Sequence, residues 1–138
     1  MSNKPKCILL VDDNPQVRHG LRQMFETEGF ICGECENGAQ AVEDAKKLNP
    51  DLIVLDLSMP VMNGMQAAPL LRKMLPQTPI IMFTMFANET LMALALAAGV
   101  AAVVSKEHAA SHLLPKAQSL LCDSRSVPPA NISERVHY

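Results

Sequence analysis

Five side chains with oxygen or nitrogen atoms suited to metal ions and phosphate groups stand at the ends of short aliphatic runs in this chain. They are Asp12, Asp13, Asp56, Thr84 and Lys106. A carboxylate at the end of a buried run is costly unless a cation or hydrogen bonds balance its charge. Three neighbouring carboxylates therefore need a cation among them or raised pKa values, and oxygen ligands at an open edge favour a hard ion such as Mg²⁺. Because Lys106 adds a positive charge and Thr84 a hydrogen-bond donor for a phosphoryl oxygen, these residue types predict phosphoryl chemistry.

Each of these residues also has a simpler structural role when it is considered alone. Asp12 and Asp13 can cap the helix that follows them, where a negative charge is favourable. Lys106 can be a solvated surface lysine, Thr84 can simply end a strand, and Asp56 can cap the loop after it. The occurrence of all five at the ends of four separate runs is what favours a shared site.

The aliphatic runs alternate with segments of helical length, which is typical of βα units on a parallel sheet. We predict five strands, at residues 7–11, 30–34, 52–56, 80–84 and 101–105. Five helices are predicted to begin after Asn14, near Gly38, after Gly64, near Asn88 and at a Ser111 cap. Right-handed crossovers would place helices on both faces of the sheet, with the carboxyl ends of the strands at one edge, where ligands bind.

Two prolines restrict the predicted helices. Pro69 is expected to kink the third helix or to lie in its first turn. The Ser111 cap is chosen for the fifth helix because it keeps Pro115 close to the first turn, where a missing N–H group does least harm.

Length, charge and hydropathy exclude several classes of function. The chain has 138 residues, which is one domain by the usual size range. Its net charge of −2 and pI of about 6.0 give no basic surface, so direct nucleic-acid binding is not expected. No apolar stretch approaches the ~18 residues that span a bilayer. We expect a cytoplasmic protein with one domain over residues 1–122 and a polar tail, or the start of a linker, over 123–138.

The sequence also contains a literal C-x-x-C motif, Cys32 to Cys35. In a strand this odd spacing sends the two side chains to opposite faces. No second such motif or nearby Cys/His pair completes a zinc site. Structural or surface thiols in a reducing compartment are therefore favoured over a redox or metal function.

Four motifs together resemble the receiver domain of two-component response regulators, over about residues 6–122. They are "ILLVDDN", "DLIVLDLSMPVMNGM", "PIIMFTM" and "AGVAAVVSKE". The resemblance implies an α/β flavodoxin-like (βα)5 three-layer sandwich, with a five-stranded parallel sheet in the order 2-1-3-4-5. It also implies a Mg²⁺-dependent phosphorylation switch, whose partner is a sensor histidine kinase or a phosphotransfer protein.

The resemblance assigns a role to each candidate residue. Asp56 would be the phospho-acceptor, and Asp13 and Asp56 would ligate Mg²⁺ directly with the backbone carbonyl of Ser58. Asp12 would hold a metal-bound water. Lys106 would pair first with Asp56 and then with a phosphoryl oxygen, to which Thr84 would also bond. Catalysis would be limited to acceptance and loss of the chain's own phosphoryl group, so the chain is not expected to be an enzyme in the usual sense.

The residues that would pass the signal to a partner match the family pattern less closely. Val103 stands where many family members carry a Tyr or Phe, which puts the usual coupling of Thr84 to an aromatic ring in question. "SKEHA" resembles the subfamily whose receivers precede a helix-turn-helix DNA-binding module. The fourth helix is almost wholly apolar, so the face formed by helix 4, strand 5 and helix 5 is expected to contact a second copy or an effector, through Leu91, Met92 or Ala95.

Alternatives from other classes remain open. A receiver fold can serve as a phosphorylation-independent interaction or dimerisation module, which Val103 favours and the intact acidic residues disfavour. A phosphate-ester hydrolase with an aspartyl-phosphate intermediate usually places a second acid two residues after the nucleophile, where this chain has Ser58. A flavin carrier of the same fold would need an anion-binding loop after strand 1, for which "DDNPQ" is unsuited.

Overall fold

A computed structural model describes residues 4–123 and contains one five-stranded sheet. The strands are β1 (Cys7–Val11), β2 (Ile31–Cys35), β3 (Leu52–Leu55), β4 (Ile80–Thr84) and β5 (Ala102–Ser105). All of them are parallel and lie in the order β2-β1-β3-β4-β5. The predicted α/β fold and strand order are confirmed. Apart from Asp123, the predicted tail lies outside the described residues.

Five α-helices connect or follow the strands. They are α1 (Pro15–Thr27), α2 (Gly38–Leu48), α3 (Gly64–Met74), α4 (Glu89–Ala97) and α5 (Leu114–Asp123). Each of the first four begins at an asparagine whose side-chain oxygen accepts backbone N–H bonds from the first turn, at Asn14, Asn37, Asn63 and Asn88. Such caps satisfy N–H donors that the helix itself leaves unpaired, so the residue just before each helix determines where the helix begins. None of the described helices has the length and apolar character needed to cross a membrane.

The hydrophobic core forms two layers, one on each face of the sheet. On one face, α1 and α5 pack through residues such as Phe25 and Leu121, while α2, α3 and α4 cover the other face through Ala45, Leu71 and Ala95. β3 and β4 are buried along their whole length, as expected of strands covered on both faces. The sheet is therefore a rigid platform whose carboxyl ends carry the candidate residues.

The cysteines of the C-x-x-C motif lie on opposite faces of β2, as predicted. Cys32 packs beside α1 and Cys35 packs on the α2 side. Burial raises the pKa of Cys32 to about 11 and that of Cys35 to about 12. Both thiols therefore stay protonated at neutral pH, which makes them poor nucleophiles.

Three strands and one proline differ in position from the prediction. β2 begins and ends one residue later than expected, β3 ends one residue earlier, and β5 begins one residue later. Pro69 lies in the interior of α3 rather than in its first turn. Its side chain is exposed there, so the ring does not disturb the core, but α3 loses one backbone hydrogen bond and the ring crowds the preceding turn.

The predicted start of the fifth helix was wrong. A 3-10 turn (Lys106–His108) and a π turn (Ala109–Leu113) follow β5 directly, and Ser111 lies inside the π turn instead of capping a helix. Ser105 provides the cap, because its Oγ accepts from the Glu107 N–H at 3.2 Å. The Leu114 N–H then bonds the Ala109 carbonyl, five residues back, which widens the helix just before Pro115. This wider turn makes room for a proline ring that would crowd a regular α-helix.

The prediction for the contact surface of α4 was wrong in part. Leu91 is 9% exposed and Ala95 is fully buried, so both belong to the core. The exposed apolar side chains are Met92, Leu94 and Leu96. Their presence still leaves α4 with an apolar outer face.

Candidate functional site

The three predicted carboxylates come together at the carboxyl edge of the sheet. One carboxylate oxygen from each of Asp12, Asp13 and Asp56 lies within 4.8 Å of those of the other two. The register of β1 with β3 pairs Val11 with Leu55, and the Asp56 N–H donates to the Val11 carbonyl at 2.9 Å. The sheet itself therefore fixes the spacing of Asp12 and Asp56.

These acids differ in exposure. Asp12 is 2% exposed and Asp56 is 5% exposed, whereas Asp13 faces solvent. Burial, followed by the charge of Asp12, raises the pKa of Asp56 to about 6. This edge of the sheet thus holds two buried acids side by side and one accessible acid, and we call Asp12, Asp13 and Asp56 together the acidic rim.

Lys106 supplies positive charge to both buried acids. Its Nζ lies 2.7 Å from Asp12 Oδ2 and 3.3 Å from Asp56 Oδ1. Burial alone would lower the pKa of Lys106, but hydrogen bonds and charges from Asp12 and Asp56 outweigh it and raise the pKa. Lys106 is therefore charged, and it is held more closely by Asp12 than by Asp56.

Thr84 ends β4 at the same edge and is 1% exposed. Its Oγ1 accepts from the Phe86 N–H at 3.2 Å, which fixes the first turn of the loop to α4. That bond uses the oxygen as acceptor and leaves the hydroxyl proton for another group. The structure therefore places Thr84 at the same edge of the sheet as the acids, and its role as a donor to a phosphoryl oxygen stays a prediction.

The loop from β3 to α3 is shaped by a close backbone approach. A Cβ atom on Gly64 would lie 2.3 Å from the carbonyl oxygen of Asp56, closer than any real contact. The Gly64 N–H also donates to the Leu57 carbonyl at 2.9 Å. Gly64 therefore lets the chain fold back against Asp56 before α3 begins. Ser58 is exposed in this loop, and the metal-binding role of its carbonyl stays a prediction.

Val61, in the same loop, has an unusual backbone conformation. Its φ is +69° and its side chain is 82% exposed. A β-branched residue rarely adopts the left-handed region, so the loop holds local strain next to the acidic rim.

Sequence reasoning missed Arg18 and Glu34. Arg18 Nη1 donates to the backbone carbonyl of Asp12, and its Nε donates to Glu34 Oε1 at 2.8 Å. No local motif signals this contact, because it depends on the packing of α1 beside β2. Only the spacing of Arg18, one helical turn after Asn14, points toward the acidic turn.

The spacing of the carboxylates fits a small divalent ion. Two oxygens bound to one Mg²⁺ lie at most about 4.2 Å apart, because each Mg–O bond is about 2.1 Å long. The three acids offer oxygen atoms that all lie within 4.8 Å of one another, which is close to that limit. Among the residues described, they are the one group of acids, histidines or cysteines that meets this distance.

A comparison with known protein families now identifies the fold. The family model of the response regulator receiver domain matches residues 8–118. The chain belongs to this family. In the family such domains typically bind Mg²⁺ at an acidic pocket and receive signals from histidine kinases or phosphotransfer proteins.

Relatives support the assignment of this receiver domain. The nitrate/nitrite response regulator protein NarL of Escherichia coli is 38% identical over 117 residues, which cover 83% of this chain and 54% of NarL. The chemotaxis protein CheY of Halobacterium salinarum is 38% identical over 101 residues, which cover 73% of this chain and 84% of CheY. The chain thus spans about half the length of NarL but most of the length of CheY.

A solved structure shows the same fold over nearly the whole receiver domain. It is a two-component response regulator of the LuxR family from Aurantimonas, with a TM-score of 0.81 and 27% sequence identity. The match covers 96% of each chain.

Val103 of this receiver domain lies in the hydrophobic core region rather than on an open surface. It pairs with Met82 of β4 and packs against the core on the α2 side. An aliphatic side chain therefore fills the position where the family resemblance led us to look for an aromatic ring.

Proposed function

We propose that this receiver domain accepts a phosphoryl group on Asp56 from a phosphohistidine of a sensor histidine kinase or phosphotransfer protein. The observation that carries the proposal is the convergence of three carboxylates with Lys106 at one edge of the sheet. A bond forms between phosphorus and a carboxylate oxygen of Asp56 as the phosphorus–nitrogen bond breaks. The histidine nitrogen keeps the electron pair of the broken bond.

Asp56 must be ionised to attack. Its pKa of about 6 leaves it mostly deprotonated at neutral pH. Burial removes water from the carboxylate, and the sheet fixes its direction, so positioning and charge provide most of the catalysis.

We further propose Mg²⁺ as the cofactor. Asp13, Asp56 and the Ser58 carbonyl would bind the ion directly, and Asp12 would bind through a water molecule. The ion would neutralise negative charge on the transferred group. The exposed position of Asp13 beside two buried acids supports this division of roles, because it leaves the ion an open side for water and substrate.

Lys106 and Thr84 are proposed to hold the product. Lys106 already lies 3.3 Å from Asp56 Oδ1, so a short movement of its ammonium group would reach a phosphoryl oxygen. The Thr84 hydroxyl would donate to a second oxygen. Catalysis stays confined to the chain's own phosphoryl group, which water later removes, so the domain is a self-modifying switch rather than an enzyme with turnover.

The output is proposed to pass through the α4, β5 and α5 face to a second copy or an effector. Leu57, the residue after Asp56, lines a shallow groove of about 530 Å³ together with Phe86 and Leu94. A change at Asp56 or Thr84 can therefore reach the exposed side of α4 through adjoining side chains. A cytoplasmic location remains a prediction from the sequence.

Acetyl phosphate with Mg²⁺ tests the acceptor. The wild-type chain is expected to gain the mass of one phosphoryl group, and Asp56→Asn is expected to gain none. Glu43→Gln, which changes an exposed carboxylate on α2, is the matched control and is expected to behave like wild type. Omission of Mg²⁺ with added EDTA is expected to abolish the gain. A gain that persists in Asp56→Asn would contradict the proposed acceptor.

A phosphorylation-independent interaction module is the second candidate. Two observations favour it: Val103 replaces the aromatic residue, and Leu94 and Leu96 on α4 are about half exposed. If the wild-type chain gains no phosphoryl mass, this second function becomes the better one.

A further inference from the structure

Arg18 links the acidic turn to the edge of the sheet. Its guanidinium donates from Nη1 to the Asp12 carbonyl and from Nε to Glu34 Oε1 on β2, at 2.8 Å. The Arg18 side chain is only 16% exposed, although Arg and Glu are usually surface residues. Arg18 therefore lies between two fixed acceptors rather than extending into water.

Glu34 is itself held in place. Its second oxygen accepts from Arg22 Nε at 2.7 Å, and Arg22 Nη1 also reaches Glu26 at 2.9 Å. The hydrogen bond from Arg22, opposed by burial and reinforced by Arg18, lowers the pKa of Glu34. Glu34 therefore stays charged at neutral pH and provides a stationary anchor for Arg18.

The atom that Arg18 holds controls the direction of the next residue. The carbonyl of Asp12 belongs to the planar peptide group that also contains the nitrogen of Asp13. Fixing this carbonyl therefore fixes the plane from which Asp13 extends. The Asp12 N–H donates to the Cys35 carbonyl at 3.1 Å, and Asp12 Oδ1 accepts from the Asn14 N–H at 2.9 Å. Arg18 completes this set of contacts and links it to Glu34 of β2, which lies on the opposite side of β1 from β3.

We propose that Arg18 is a positioning residue for the divalent-cation site, holding the Asp12–Asp13 peptide so that both carboxylates face the ion. This role rests on the proposed function, because it assumes that Mg²⁺ or a similar ion binds there. Charge alone acts in the opposite direction, since a guanidinium near a cation site repels the cation. The benefit of Arg18 therefore lies in geometry, with Glu34 offsetting part of its charge.

Lysine separates geometry from charge at this position. The Arg18→Lys variant keeps the positive charge but lacks the planar fork that reaches two acceptors at once. Arg22→Lys is the matched control, because a lysine there can still donate to Glu34, and Arg22 does not contact Asp12 in the described hydrogen bonds.

The test measures Mn²⁺ binding to the full chain by electron paramagnetic resonance of the free ion. Arg18→Lys is expected to bind Mn²⁺ roughly 10-fold more weakly than wild type, the usual effect of losing a partner that orients a metal ligand. Arg22→Lys is expected to bind like wild type. In metal-free protein, the amides of Asp13 and Asn14 are expected to exchange hydrogen faster in Arg18→Lys than in Arg22→Lys.

A second variant makes charge and positioning predict opposite changes in Mn²⁺ affinity. Arg18→Met removes the charge, so electrostatics alone predicts tighter Mn²⁺ binding, whereas loss of positioning predicts weaker binding. Tighter binding in Arg18→Met, wild-type affinity in Arg18→Lys, or equal weakening in both lysine variants would each overturn the role of Arg18. If wild type itself binds no Mn²⁺, the proposed metal dependence and the role of Arg18 fail together, whereas failure of Arg18 alone leaves wild-type binding intact.

Discussion

At the scale of single residues, Asp56 shows a conflict between stability and chemistry. Burial and the charge of Asp12 raise its pKa from 3.8 to about 6. The folded chain therefore binds a proton at Asp56 between about pH 4 and pH 6, where the unfolded chain has already lost it. Stability from this residue is greatest below pH 4 and falls as the pH rises through 6. Above that pH the ionised acid costs at most about 3 kcal/mol.

Asp56→Asn is expected to relieve this cost. In EDTA at pH 7.5, the free energy of unfolding should rise by about 1–3 kcal/mol, because the amide has no charge to bury. At pH 4.5 the gain should shrink, since wild-type Asp56 is then largely protonated in the folded state. Urea unfolding followed by circular dichroism at both pH values measures the difference. A gain of the same size at both pH values would contradict the role of ionisation.

Much of the site was predictable at this scale, because strand ends in a parallel sheet share one edge. Asp12, Asp56, Thr84 and Lys106 could be placed by recognising four aliphatic runs. The closer pairing of Lys106 with Asp12 than with Asp56 could not, since it depends on the path of the lysine chain across the rim. The contact of Arg18 could not be predicted for a similar reason, because its partner Glu34 lies on another element.

At the scale of elements, local signals explain which parts of the prediction succeeded. Asparagine caps and strand periodicity are short-range features, so α1 and α2 begin where the sequence indicated, at Pro15 and Gly38. The prediction for the start of the fifth helix failed because two serines, Ser105 and Ser111, could each act as a cap. Ser105 starts the helical path at once, and the π turn tolerates Pro115 without a new start at Ser111.

The loop between β3 and α3 allows a test of stored strain. Val61→Gly is expected to raise the free energy of unfolding by about 1 kcal/mol, because glycine adopts positive φ without steric cost. The wild-type side chain is 82% exposed, so little packing is lost. Val61→Ala, which keeps a Cβ atom in the left-handed conformation, should gain less than half as much in urea unfolding. Lower stability of the glycine variant than of the alanine variant would show that the loop is not strained.

At the scale of the whole molecule, the outer side of α4 and the loop before it expose large apolar side chains. Phe86 is 63% exposed, Leu94 55% and Leu96 48%. Exposed apolar groups that lie together favour contact with another protein surface. Fold and sheet order were predictable, but which α4 residues face outward was not, because an all-apolar helix has no amphipathic stripe to read.

Leu94→Lys is expected to weaken self-association of the phosphorylated domain without changing the extent of phosphorylation. A charge on the outer face of α4 would have to be buried in the contact, which is costly. Sedimentation velocity with and without acetyl phosphate and Mg²⁺ measures the mass. Leu70→Lys is the matched control, because Leu70 lies on α3 and is 42% exposed, and this variant should associate like wild type. Equal masses for wild type and Leu94→Lys under all conditions would contradict the hypothesis that the domain self-associates through α4.

The position of β5 has a consequence for local unfolding. This four-residue strand is at the edge of the sheet, paired on one side only, and Lys106 follows it directly. The counter-charge of two buried acids is thus attached to one of the least supported strands. Whenever this edge frays, Asp12 and Asp56 lose that charge together, so fraying is penalised while the acids depend on Lys106. A cation that takes over the neutralisation removes the penalty, and amide-exchange protection of β5 therefore reports how the acidic rim is balanced.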